Sequence, residues 1–273
     1  MKNIILGLAV LAAACGILLC SSTGKVFAAD KKEIVVGGPT YAEVFYNAAK
    51  DVYEAKGYKT KFIVFDSNPV ALEGCNNGEV DIALGMHKKF MESFNERTGG
   101  DLVMARPYGF HGNIGFYSVK HKSIDEIPSG AQIAIMNDAM NMGLALGILE
   151  DCGLIKLDHS NDLPTIADIT ENPKKIKLVD MDQAQTVTVL PEMDGACVFF
   201  VHMSFAGKDP LSYLAKSKGM LKFPVGVIVK KANENAKWAT DFAECFRTKE
   251  FRANMDRDLP NVYSFYDNDA DAE

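Results

Sequence analysis

The segment 131–157, AQIAIMNDAMNMGLALGILEDCGLIKL, constrains the fold more than any other stretch of this chain. Residues 131–136 alternate and then run apolar, the pattern of a short buried strand. Asn137 and Asp138 follow with side chains suited to capping. Leu144, Leu146, Ile148 and Leu149 then continue as a helix, closed by Gly153 as its C′ residue. A strand that breaks directly into a helix leaves free backbone N–H groups and a positive dipole end at the carboxyl edge of a sheet. Such an edge receives anionic or strongly polar ligand groups. The same signature also fits an ordinary βα unit that binds nothing.

The rest of the chain repeats this alternation. Residues 33–37 read as a strand and Gly38-Pro39-Thr40 as a tight turn. Val44, Phe45, Ala48, Ala49, Val52 and Tyr53 form the apolar stripe of a helix ending at Gly57. Further strands are expected over 61–65, 80–84, 102–105, 114–120, 176–179, 196–201 and 224–229. Helices are expected over 69–75, around Phe90, Met91 and Phe94, and over 165–170, 182–190 and 233–247. Ser123 to Glu126 fits a capping box, and the acidic tail DNDADAE is expected to fray. The order implies an α/β fold with a largely parallel sheet and helices on its faces. No repeat or low-complexity linker divides the chain.

With 273 residues and 48% hydrophobic content, the chain can bury a sizeable core in one large or two modest domains. The formal charge of −7, with no basic run beyond pairs such as Lys174–Lys175, argues against a nucleic-acid partner. No G-x-S-x-G elbow, G-x-x-x-x-G-K phosphate loop or H-E-x-x-H pair occurs, so no enzyme is expected. Cys75, Cys152, Cys197 and Cys245 show no CxxC spacing and no paired His, so neither a metal site nor a cofactor is implied. Cys152 and Cys197 lie in apolar runs, as core thiols do; counting alone leaves disulfides open.

The first residues form an export signal. Lys2 precedes an uncharged apolar run, residues 4–19, too short for a comfortable transmembrane helix. Two processing routes fit. Val26-Phe27-Ala28 suits cleavage after Ala28, making 1–28 a signal peptide. Alternatively, Leu11-Ala12-Ala13-Ala14-Cys15 resembles a bacterial lipobox, with lipid attached to Cys15. Either route gives an exported protein, periplasmic or anchored to the membrane through an N-terminal lipid.

MNDAMNMGLALGILEDCGLIKL resembles the strand–helix signature of the NlpA/MetQ family, the methionine-type substrate-binding lipoproteins of ABC importers. EIVVGG at 33–38, GEVDIALGMH at 78–87, KSIDEIPSGAQIAI at 122–135, IADITENPKKIKLVDMDQAQ at 166–185 and FPVGVIVKK at 223–231 fall in the family's order and spacing. The resemblance favours lipidation. It implies a two-lobed periplasmic-binding-protein fold of type II, each lobe a mixed sheet flanked by helices. The first lobe would comprise 29–117 plus 222–273 and the second 118–221, with crossings near 115–120 and 220–225. The ligand would lie between the lobes, which close on it as a hinge. The implied partners are a small-molecule solute, an amino acid or small amphiphile, and an ABC permease. A surface lipoprotein acting as sensor, adhesin or antigen is the alternative.

The resemblance also assigns ligand-binding positions, and several depart from the family pattern. Asn68 lies in a segment that carries a Tyr in methionine binders, and Gly85-Met86-His87 replaces Phe-Gln-His. Leu144 stands where an Arg pairs the ligand carboxylate, and His202 where an Asn anchors the amino-acid end; His87, Asn137 and Asn141 keep the family residue. An Arg–carboxylate pair is charge-assisted and bidentate, and no single neutral group replaces it. These changes predict poor methionine binding unless a protonated His87 or His202 compensates, and a far wall opened by Gly85. Met86, Met136, Met140, Met142 and Met203 are expected to make an adaptable apolar pocket beside the histidines.

Overall fold

The computed structural model describes residues 31–273, so the export signal and Cys15 lie outside the described residues. The first lobe is built by β1 (Glu33–Pro39), α1 (Glu43–Glu54), β2 (Lys59–Phe65), α2 (Asn68–Asn77), β3 (Ile82–Ala83), α3 (Lys88–Thr98) and β4 (Leu102–His111). The second holds β5 (Ile114–Tyr117), β6 (Gln132–Met136), α4 (Ala139–Asp151), β7 (Lys156–Leu157), β8 (Ile169–Glu171) and β9 (Lys177–Met181). It continues through α5 (Thr186–Val189), β10 (Gly195–Phe199), α6 (Phe200–Phe205) and β11 (Ala215–Lys216). The chain returns to the first lobe with β12 (Pro224–Lys230), α7 (Lys237–Cys245), α8 (Lys249–Asp258) and β13 (Ser264–Phe265).

Both large sheets are mixed rather than largely parallel. The first runs β13-β4-β12-β3-β1-β2, with β1 parallel to β2 and β3 and with β12 antiparallel to β3 and β4. The second runs β11-β5-β10-β6-β9, parallel from β10 through β6 to β9 and antiparallel where β5 meets β10 and β11. The change of sheet falls at Gly112 and Asn113, ahead of 115–120, because Ile114–Tyr117 is already bonded within the second sheet.

Apolar patterning accounts for the layers. Phe45, Ala48, Ala49 and Tyr53 of α1 bury one face of the first sheet together with Trp238, Phe242 and Phe246. Leu72, Phe90, Phe94 and Tyr266 cover the other face. In the second lobe Leu146 and Leu149 of α4 pack on Ile133, Phe116 and Cys197. Asp138 caps α4, and Gly153, at φ +70°, ends it with a reverse turn in which Leu154 N donates to Leu149 O at 3.0 Å.

Several local expectations give way to tertiary pairing. Residues 165–170 are not a helix: a single 3-10 turn carries a Thr165–Asp168 capping box, and Ile169–Glu171 then pairs with β7. The box expected at Ser123 is absent; Glu126 instead accepts from Lys122 N at 2.7 Å. The helix over 182–190 contracts to Thr186–Val189, and the strand from 196 turns into a helix at Phe200. The C-terminal tail is docked, not frayed. Asp269 accepts from Tyr108 N at 2.8 Å and pairs with Arg247 and Arg106, and Ala272 is buried. The four described cysteines are free thiols.

Candidate functional site

Strand ends in both lobes open into one cleft. From the first lobe, β1 leads to Tyr41, β3 to Gly85–His87 and the start of α2 to Asn68. From the second, β6 leads to Asn141, β9 to Gln183 and β10 to Phe199 and His202. These residues, with Met86, Phe90, Asn113, Met220, Phe223 and Tyr263, line about 520 Å³ of empty space including its mouth. Ligand sites in α/β proteins lie outside the carboxyl ends of strands in this way.

His87 holds the floor. It is the N-cap of α3, and its Nδ1 accepts from Phe90 N at 3.0 Å. That bond fixes the proton on Nε2, which donates across the cleft to Asn141 Oδ1 at 3.3 Å. Asn141 in turn donates its backbone N to Asp138 Oδ1 (3.0 Å) and its Nδ2 to Asp138 Oδ2 (2.9 Å). A chain of hydrogen bonds therefore runs from the cap of one lobe's helix to the cap of the other's. Burial lowers the His87 pKa to about 4, with the Asn141 bond opposing and Lys89 adding to the shift. His202 is lowered to about 4 by burial as well, with Asp182 opposing. Both imidazoles are neutral at pH 7, so neither supplies a charge that could stand in for the missing Arg.

The opposite wall is set by Tyr41. Its hydroxyl shares its one proton between Asn68 Oδ1 (2.9 Å) and Gly85 O (3.0 Å), and its ring stands edge-on to His202 with centroids 5.6 Å apart. Gly85 has φ +104°, and a Cβ there would come within 2.9 Å of Ala42 Cβ and 3.2 Å of Tyr41 Cε2. Glycine at 85 is therefore a backbone requirement, and Tyr41 with Ala42 fills the space beside it. Tyr263 closes the back, edge-on to Phe45 (5.2 Å) and Phe110 (4.9 Å).

Of the positions singled out by resemblance, Asn68, Gly85, His87, Asn141 and His202 come together on this cavity. Asn137 lines the outer part of the cleft, alongside Asp66, Asp138 and Asp182. Leu144 faces a separate groove with Met140, Lys89 and Phe223. The methionines do not form one pocket: Met86 lines the cavity, whereas Met136 and Met203 are in the cores of the lobes. Tyr41, Gln183, Phe199, Phe223 and Tyr263 were not marked by sequence. Tyr41 directly follows the turn that ends β1, and Gln183 sits in the quoted DMDQAQ run, so position after a strand was the available signal. Among the described residues no cluster of three or more His, Cys, Asp or Glu is placed to hold a metal ion. No helix among them is long and apolar enough to cross a membrane.

The NlpA lipoprotein family model matches residues 34–262. Lipoprotein 28 of Escherichia coli O157:H7 is 30% identical over 230 residues, covering 81% of this chain and 83% of that protein. The D-methionine-binding lipoprotein MetQ of Yersinia pestis is 29% identical over 240 residues, covering 85% and 86%. Among solved structures, the substrate-binding protein of a methionine transporter from Streptococcus pneumoniae superposes with a TM-score of 0.79 at 26% identity, covering 86% of this chain and 96% of that one. A nutrient-binding protein from Burkholderia cenocepacia bound to methionine gives 0.78 at 25%, covering 85% and 99%.

Proposed function

The chain belongs to the NlpA lipoprotein family, and on that premise we propose that it is an exported solute-binding protein that delivers a small amphiphilic solute to the permease of an ABC importer. The observation that carries this reading is the cavity between the lobes, aromatic on most sides, crossed by one hydrogen bond from His87 to Asn141. A pocket of that makeup holds an apolar body and orients a polar end. Lobe opening would hinge at Gly112–Asn113 and at residues 217–223, where the chain passes between sheets.

Methionine itself fits poorly. No Lys or Arg lines the inner cavity or the outer cleft, and both lining histidines are neutral, so a ligand carboxylate would meet no cation. Calorimetry with L-methionine on protein refolded free of carried-over ligand should show weak or absent binding; tight, pH-independent binding would reject this part. Small-angle scattering should show compaction with a bound solute, and a particle that never contracts across a solute panel would reject the transport reading. We place the lipid on Cys15, and mass spectrometry of membrane-extracted protein tests it: a soluble form beginning at Ala29 excludes the anchor.

A further inference from the structure

We propose that the cleft selects an organic cation, a solute that carries a primary ammonium group and no carboxylate, with the ammonium at Asp138 and His202. The inference rests on the solute-binding reading and names the ligand class of the same site.

Charge around the cleft is one-sided. The outer part is lined by Asp66, Asp138 and Asp182 with no Lys or Arg, and the inner part has no charged side chain at all. Two basic side chains outside the lining still act on it: Lys89, 4.6 Å from the centroid of the Phe223 ring in the groove behind, is felt by His87, and Arg97 by Asp138. Asp138 also changes what the α4 N-terminus can accept. Its carboxylate already occupies the position where a helix start attracts an anion, taking both the backbone N and the Nδ2 of Asn141. A second carboxylate would meet that one; an ammonium would complete it.

His202 supplies the independent observation. It is only 8% exposed, yet its ring makes no hydrogen bond among the described residues. Arg252 Nε is the only fully sealed side-chain polar atom without a partner among the described residues, so the His202 ring nitrogens open on to the cleft that the residue lines. A neutral imidazole offers one N–H and one lone pair. His202 lines the outer cleft together with Asp138 and Asp182, and Asp182 acts on the imidazole electrostatically, so its lone pair is available there as an acceptor for an ammonium N–H. The rings of Tyr41 and Phe90 suit the rest of such a ligand, because they bury its carbon, whereas the Phe223 ring already has Lys89 over it.

Matched pairs that differ by one carboxylate test the assignment. Calorimetry at pH 7 compares 3-(methylthio)propylamine with L-methionine and phenethylamine with L-phenylalanine, on wild-type protein and on D138N. Asn is as good a helix cap as Asp, so D138N removes the charge and keeps the bond from Asn141 N while giving up the one from Asn141 Nδ2; an unchanged helical content by circular dichroism verifies the cap. In the wild type at least one amine should bind at least tenfold tighter than its amino acid, and D138N should erase that preference. An amino acid that binds as tightly as its amine, or amine affinity unaffected by D138N, overturns the charge assignment and leaves solute binding standing. If neither member of either pair binds, the assignment falls; if scattering also shows no compaction with any solute, the solute-binding reading falls with it.

Discussion

His87 and Asn141 cap and open helices of opposite lobes and meet across the cleft, Nε2 to Oδ1, at 3.3 Å. This bond joins two side chains that are each already held by their own lobe, His87 by Phe90 N and Asn141 by Asp138. N141A should therefore loosen the closed arrangement and not either lobe alone. It leaves a buried His87 N–H without its partner, a loss of about 1–3 kcal/mol. The expected readout is a larger radius of gyration with unchanged secondary structure. An identical radius would show that closure does not depend on this contact.

Acid should destabilise the fold through its two cleft histidines. Their folded pKa values, about 4, lie below the ordinary value of 6.5, so the unfolded chain binds the extra protons. The stability is complete above pH 6.5 and is lost as pH falls from there toward 4, on the order of 3 kcal/mol for each group. Lys89 adds to the His87 shift and Asp182 partly offsets that of His202. Urea unfolding at pH 7.5, 5.5 and 4.5 should show the decline, and H202F should make it shallower. Equal slopes in the two proteins would rule out His202 as a contributor.

Gly85→Ala is expected to cost about 1–3 kcal/mol, because φ is +104° and the new Cβ would press on Ala42 and Tyr41. Tyr41 would have to yield, and with it the Asn68 bond. The melting temperature should fall and the intrinsic tyrosine spectrum should change. A fully stable variant would mean that the turn relaxes freely.

D269A should lower stability by about 1–3 kcal/mol. It releases Tyr108 N, and leaves Arg247 without its carboxylate. Arg106 is about half exposed and contributes little to this figure. A denaturation midpoint equal to the wild type would return the tail to the status of a free end.

The βα unit at 131–157 was readable in advance because its signals are local: an apolar run, Asp138 as cap, and Gly153 in the left-handed region. The direction in which Leu144 points was not. The sequence of α4 is apolar on nearly every side, so its periodicity does not say which face meets the cleft. Thr165 to Asp168 carried a true capping box yet no helix, since Ile169–Glu171 pairs with a strand formed earlier in the chain. The tail looked free because two of its partners, Arg106 and Tyr108, are about 160 positions away. Tyr263 gave no sign at all; it reaches the cleft only once α8 has turned the chain back.

The free thiols give this molecule an internal clock. Burial pushes the pKa of Cys75 and Cys245 up to about 12 and that of Cys197 higher still, so almost no thiolate is present to react at neutral pH. Burial and Asp151 raise the Cys152 thiol as well, but this side chain is only half-buried and within reach of solvent. An alkylating reagent should therefore consume Cys152 first and reach the others only when their surroundings open. Cys75 and Cys245 would time openings of the first lobe and Cys197 those of the second, so one labelling course followed by peptide mapping would report which half of the molecule breathes faster.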